Sequence, residues 1–257
     1  MCYDPAARPP LPPIAGGADF ATNEDLILEA ADGNRFTAFG ATTGAPDAPG
    51  VVILPDVRGL HPFYKDLAVR FAEAGAHAAV IDYFGRTAGL EERRDDFDFM
   101  KHVAQTMPDT VANDVAAAIA YVRRNEGGGA SDVYTVGFCF GGRHSFNQAG
   151  RGHGLAGAIG FYGVVHQREP DDGFAPILIA PKYECPILGL FGGADVAIPA
   201  EEIERFRGVL EEAGVHNEIV IYDGAPHSFF DRSYEEHRGA SVDAWNRVLA
   251  FMGIKTP

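Results

Sequence analysis

Cysteine is scarce in this sequence, with Cys2, Cys139 and Cys185 the three among 257 residues. That is too few for a disulfide framework, and no pair has metal-ligand spacing, so no metal is expected. A reducing compartment fits best, and a cytoplasmic location is expected. Positive charge is also short: 21 Lys and Arg stand against 36 Asp and Glu, leaving a formal net charge of -15. Such an excess repels the nucleic-acid backbone and anionic membrane surfaces alike, so neither is expected as a partner. No apolar run approaches the ~18 residues of a spanning helix. The first residues, Met1 to Gly17, have neither the basic start nor the apolar run of a secretory signal.

What is present is ordinary for a large globular domain: 46% hydrophobic and 22% charged residues, enough to bury a full core. Residues 1–23 read as a proline-rich arm and residues 24–257 as one domain, with no internal repeat and no linker. Leu26 to Leu28, the turn chemistry of Asp32-Gly33-Asn34, and Arg35 to Phe39 predict an antiparallel hairpin at a sheet edge. Beyond it, short apolar runs at Val51–Leu54, His77–Asp82, Val133–Phe138, Leu155–Tyr162, Ile187–Phe191 and Glu218–Tyr222 read as strands. They alternate with helical patterns at 63–74, 110–125, 201–213 and 236–252, with Asp109 available to cap the second. The spacing predicts an α/β protein with a mostly parallel, doubly wound sheet. The charged stretch 87–108 reads as a helical excursion beside the sheet.

The stretch Val133 to Gly142 organises the chain. An apolar strand runs into Gly137-Phe138-Cys139-Phe140-Gly141, the setting of a G-x-S-x-G elbow with cysteine in place of serine. Small residues are required there because the nucleophile sits on a sharp turn. The turn aims the side chain at a helix start, whose dipole favours a thiolate. Two polar residues follow later strands: Asp195 after Phe191-Gly192-Gly193-Ala194, and His227 after Asp223-Gly224-Ala225-Pro226. The order nucleophile, acid, histidine is that of α/β-hydrolases. Imidazole can carry a proton between thiol and leaving alcohol, and a carboxylate fixes its tautomer. The backbone N–H of Phe140 is one expected donor to an oxyanion, and that of Val57, after the Val51–Leu54 strand, the other.

Together with Asp82-Tyr83-Phe84-Gly85-Arg86, Gly160-Phe161-Tyr162-Gly163 and Ala225-Pro226-His227-Ser228-Phe229, these motifs resemble the dienelactone hydrolase family from about residue 24 onward. The resemblance implies an α/β-hydrolase fold and hydrolysis of small esters or lactones through Cys139, His227 and Asp195, without metal or cofactor. It also implies that Asp56 stands where the family has a glutamate that holds the resting thiol, one methylene shorter. Arg86 matches the first of two arginines that grip a substrate carboxylate. The second position reads Asp231, with Arg232 one residue later, so a preference for the same diacid lactone does not carry over. Arg58 and His61 are alternatives for shaping the pocket, and Tyr162 is expected to line it. The expected partner is a small-molecule ester or lactone, and the expected assembly a monomer or homodimer. A different reading keeps the fold but makes Cys139 a non-catalytic thiol binder or redox sensor. Gly152-His153-Gly154-Leu155-Ala156-Gly157 spells G-x-G-x-x-G but precedes a strand, where a dinucleotide cradle would be misplaced.

Overall fold

A computed structural model describes residues 11–12, 20–45, 47–91, 93, 97–170 and 172–254. The strands are β1 (Phe20–Glu29), β2 (Arg35–Thr43), β3 (Gly50–Leu54), β4 (His77–Ile81), β5 (Val133–Phe138), β6 (Gly157–Phe161), β7 (Ile187–Gly192) and β8 (Asn217–Tyr222). The helices are α1 (Pro62–Ala74), α2 (Gly85–Ala88), α3 (Phe99–Val103), α4 (Pro108–Arg123), α5 (Phe140–Gln148), α6 (Pro176–Ile179), α7 (Ala200–Glu212) and α8 (Arg238–Phe251). One sheet of 8 strands runs in the order β1-β2-β4-β3-β5-β6-β7-β8. Six strands from β4 to β8 are parallel, while β1 and β2 form the antiparallel hairpin expected at the edge.

The pattern of buried residues explains the layering. Strand β3 is buried along its length, as a strand covered on both faces must be. Because side chains alternate across a strand, Val51 and Ile53 join Phe63, Leu67 and Phe71 of α1 on one face. Val52 and Leu54 join Val111, Val115, Ile119 and Val122 of α4 on the other. Helix α1 ends where Gly75 takes φ 103°, a left-handed conformation that suits glycine.

Some boundaries differ from the sequence expectation. Strand β1 begins at Phe20, so residues 20–23 belong to the sheet rather than to the arm. Their pairing with β2 recruits them, which no local pattern in the arm announces. Of the rest of the arm, Leu11 packs against the core and Pro12 is buried; residues 1–10, including Cys2, and 13–19 lie outside the described residues. Asp109 does not cap α4: the cap position is Met107, Pro108 opens the helix, and Asp109 lies in its first turn. The excursion at 87–108 holds α3 and the end of α2, while Glu92 and residues 94–96 are outside the described residues. No helix among the described residues is long and apolar enough to cross a membrane.

The chain winds from β3 outward to β4, then returns to place β5 on the opposite side of β3. The connections after β3 and β5 therefore diverge, opening a crevice at their C-terminal ends where open α/β sheets bind ligands.

Candidate active site

Cys139 sits in that crevice, between the last residue of β5 and the first of α5, with φ 54° and ψ -110°. A non-glycine residue in this region is strained and persists because its surroundings over-determine it. The Cys139 N–H donates to Phe161 O at 3.0 Å, and its carbonyl accepts from Arg143 N–H at 3.2 Å. Glycine is required on both sides for close approach. A Cβ on Gly137 would lie 1.9 Å from Gly141 O, and one on Gly141 would lie 2.0 Å from Leu54 O. The thiol is partly exposed, and Phe140 begins the helix behind it.

The loops after β7 and β8 bring Asp195 and His227 together. His227 Nδ1 donates to Asp195 Oδ2 at 2.6 Å, and the carboxylate's other oxygen accepts from the Ala197 N–H at 2.9 Å. Cys139 acts on the same imidazole through its hydrogen-bonding capacity and its charge. Burial by itself favours the neutral ring, but the hydrogen bonds and negative charges of Asp195 and Cys139 outweigh it and raise His227 to about 10. The raised imidazole favours its protonated form beside the sulfur at the elbow.

Val57 is half-buried on the loop after β3, two residues beyond Pro55, whose carbonyl, like that of Leu54, lies close against Gly141 of α5. Within the described residues, neither the Val57 nor the Phe140 N–H donates to a protein acceptor. Tyr83 steadies the loop by donating its hydroxyl to Pro55 O at 2.5 Å. Its phenol is buried, and burial and the nearby charges of Asp56, Cys139 and Asp82 push it well above the usual tyrosine range. In the sequence Tyr83 stands out only as part of the Asp82–Arg86 motif. Its contact joins residues from β3 and β4 loops, which no local pattern reveals.

Three expected side chains do other work. Asp56 does not hold the thiol. One of its oxygens accepts from the Arg58 N–H at 2.8 Å, and the guanidinium closes on the carboxylate with a contact of 2.7 Å. The short side chain favours this bond to a residue two positions on, an Asx-type turn. Tyr162 is buried with no exposed surface for a substrate; at φ 39° it packs its ring 5.0 Å from that of His227 and donates to Asp231 Oδ2 at 3.2 Å. Arg86 does not serve the crevice. Its guanidinium bridges Asp32 at 2.8 Å and Asp114 at 2.7 Å and donates to Thr110 O, clamping the hairpin turn to α4. Asp114 is buried, so Arg86→Ala removes its charged partner and leaves its carboxylate with the Asn34 amide. The variant is expected to lose about 3 kcal/mol in urea unfolding while hydrolysing carboxylated and neutral esters in the wild-type ratio. A selective loss of the carboxylated ester would restore Arg86 to the pocket.

No group of three or more His, Cys, Asp or Glu among the described residues could hold a metal ion.

A sheet of this order, with a strand–cysteine–helix elbow at its switch point and aspartate and histidine on later loops, defines an α/β-hydrolase carrying cysteine at the elbow. The family model for the dienelactone hydrolase family matches residues 36–255. The chain belongs to the dienelactone hydrolase family and is a hydrolase of the ester and lactone class. It is 29% identical over 252 residues, 96% of this chain and 93% of the relative, to the Salmonella typhimurium protein named "Putative carboxymethylenebutenolidase". It is 27% identical over 208 residues, 79% of this chain and 83% of the relative, to a Bradyrhizobium protein named "Probable 2-oxo-3-(5-oxofuran-2-ylidene)propanoate lactonase". Among solved structures, a "Putative Dienelactone Hydrolase" from Klebsiella pneumoniae superposes with a TM-score of 0.79 at 27% identity, over 91% of this chain and 100% of that one.

Proposed function

We propose that this hydrolase cleaves small esters or lactones through a thioester formed on Cys139, with His227 as proton carrier and Asp195 as its anchor. The observation that carries the reading is the imidazole anchored at Nδ1 by the Asp195 carboxylate and raised to about 10, with Cys139 at the strained elbow among the groups that raise it. The thiolate adds to the substrate carbonyl, and its electron pair becomes the C–S bond. Negative charge then grows on the carbonyl oxygen, where the N–H groups of Phe140 and Val57 stabilise it. Collapse expels the alkoxide, which takes the proton from His227; in a lactone the alcohol stays attached to the acyl group. Water then loses a proton to His227 and adds to the thioester, and departure of the thiolate releases the acid. Asp195 keeps Nδ1 as donor and stabilises the imidazolium while Nε2 gives and takes the proton. No cofactor is needed for these steps, which use groups of this chain and one water.

The intermediate is directly observable. Acid-quenching the enzyme during turnover of p-nitrophenyl acetate and measuring intact mass should show one acetyl group per chain, mapped by peptide digestion to Cys139. An adduct absent from Cys139 under burst conditions, or present only on lysines, would remove the thioester from the mechanism.

A further inference from the structure

Phe140 and Val57, whose N–H groups are the expected oxyanion donors, lie on different segments, and one buried side chain from a third segment touches both. Tyr83 stands two residues beyond β4 and is 2% exposed. Its hydroxyl donates to Pro55 O at 2.5 Å, and its ring meets that of Phe140 edge-on, with centroids 5.3 Å apart and planes at 87°. Pro55 leads directly into a turn that the Gly59 N–H closes by donating to Asp56 O at 3.1 Å. That carbonyl and the Val57 N–H belong to one planar trans peptide, so fixing the first aims the second the opposite way. The far end of the turn rests on the same segment as Tyr83. A Cβ on Gly59, which has φ 68°, would lie 3.0 Å from Asp82 Oδ1 and 3.0 Å from the Phe84 ring.

We propose that Tyr83 is a positioning residue for the oxyanion hole: its hydroxyl holds the turn that carries the Val57 N–H while its ring braces Phe140, so one side chain sets the spacing of the two donors. This role rests on the thioester reading above and adds the group that preorganises its charge stabilisation. Donors fixed in advance stabilise the developing charge without having to move when it forms, and a turn free to drift loses part of that effect. Tyr83 suits the task because it keeps its proton. Burial and the charges of Asp56, Cys139 and Asp82 push the phenol well above the usual tyrosine range, so the hydroxyl remains a donor. The second ring packed edge-on against Phe140, that of His144 at 4.5 Å, is uncharged as well, because burial and the charges of Arg143 and Arg151 lower it to about 3. The brace therefore does not titrate between about pH 6 and 9.

Tyr83→Phe removes the hydroxyl and keeps the ring. It should lower kcat/KM for p-nitrophenyl acetate by about tenfold to thirtyfold, less than the loss of a donor itself, and by the same factor from about pH 6 to 9. Two probes of Cys139 separate positioning from a general disturbance of the site. Trifluoroacetophenone takes up the thiol as a hemithioketal whose oxygen stands in for the substrate oxyanion, so its Ki should rise by about the same factor. Methyl methanethiosulfonate is attacked at sulfur and forms no oxyanion, so its labelling of Cys139, followed by peptide mass, should stay within about twofold of the wild-type rate. Phe140→Leu keeps the backbone donor but removes the ring contact, and it should reproduce the pattern. The double variant should lose less than the product of the two factors, since both changes release one brace. An unchanged ketone Ki in Tyr83→Phe, or a labelling rate that falls along with turnover, overturns the role. If Tyr83→Phe does not fold, the same readouts on Phe140→Leu decide it. Turnover that survives Cys139→Ala overturns the thiol reading itself, an outcome separate from these.

Discussion

Cys139→Ala is expected to lower kcat/KM for p-nitrophenyl acetate by about 10⁴-fold or more, because it removes the atom that forms the acyl-enzyme. The imidazole, its aspartate and the oxyanion donors survive the change, so the remaining hydrolysis measures what positioning and charge stabilisation do without covalent catalysis. His227→Ala should reach a similar low rate, and the double variant should be little slower than either single one, since the two residues act as a unit. A spectroscopic readout separates this from simple damage to the fold. The thiol's hydrogen bond and charge help to raise His227 to about 10, so deleting the sulfur should move the ring's titration downward. Following the imidazole C–H resonance with pH in wild type and Cys139→Ala measures it. A variant that keeps the wild-type rate, or a ring whose titration does not move, contradicts the pairing.

Gly141→Ala should destabilise the protein by roughly 3–5 kcal/mol, lowering Tm by about 8–15 °C. The added Cβ would lie 2.0 Å from Leu54 O and 2.3 Å from Pro55 O, both main-chain atoms. Neither can swing aside as a side-chain tip would. Leu54 ends the fully buried β3, and the Pro55 carbonyl is held by Tyr83. Relief therefore requires α5 to move away from the loop that carries Val57, and whatever protein remains folded should lose much of its esterase rate. Gly239→Ala provides the comparison: it lies in α8, and a Cβ there meets nothing within 4 Å. Helix propensity makes that change neutral or slightly stabilising. Calorimetry on the two variants tests the contrast, and a Gly141→Ala protein melting within 2 °C or so of wild type would show that the helix start has room to shift.

Residues near one another in sequence made much of this molecule legible. Gly137, Cys139 and Gly141 announce an elbow because the small residues are required by backbone approach within a few positions of the thiol. The apolar runs of β3 to β7 announce a doubly covered sheet because burial on both faces leaves no polar alternation. Strand ends likewise bracket Asp195 and His227, since topology brings successive C-terminal ends to one edge. Arg86, Asp56 and Tyr162 illustrate the opposite case. Motif position places each near the site, yet each side chain is claimed by a partner: Arg86 by residues 54 and 28 positions away, Tyr162 by one 69 positions away. Asp56 goes to Arg58, two positions on, and here the competition between a local turn and a distant thiol decides the outcome.

From the order of its amino acids alone follow the strand–helix alternation, the elbow and its thiol, and the family to which they belong, because these depend on burial periodicity and on short-range steric requirements. Folding in three dimensions decided which charges face one another: that Arg58 closes on Asp56, that Arg86 leaves the crevice for Asp32 and Asp114, and that Asp231 lies buried one phenol away from the imidazole. The reason is electrostatic. A buried charge takes whichever partner the packed chain brings within a few ångströms, and that distance has no fixed relation to separation along the sequence.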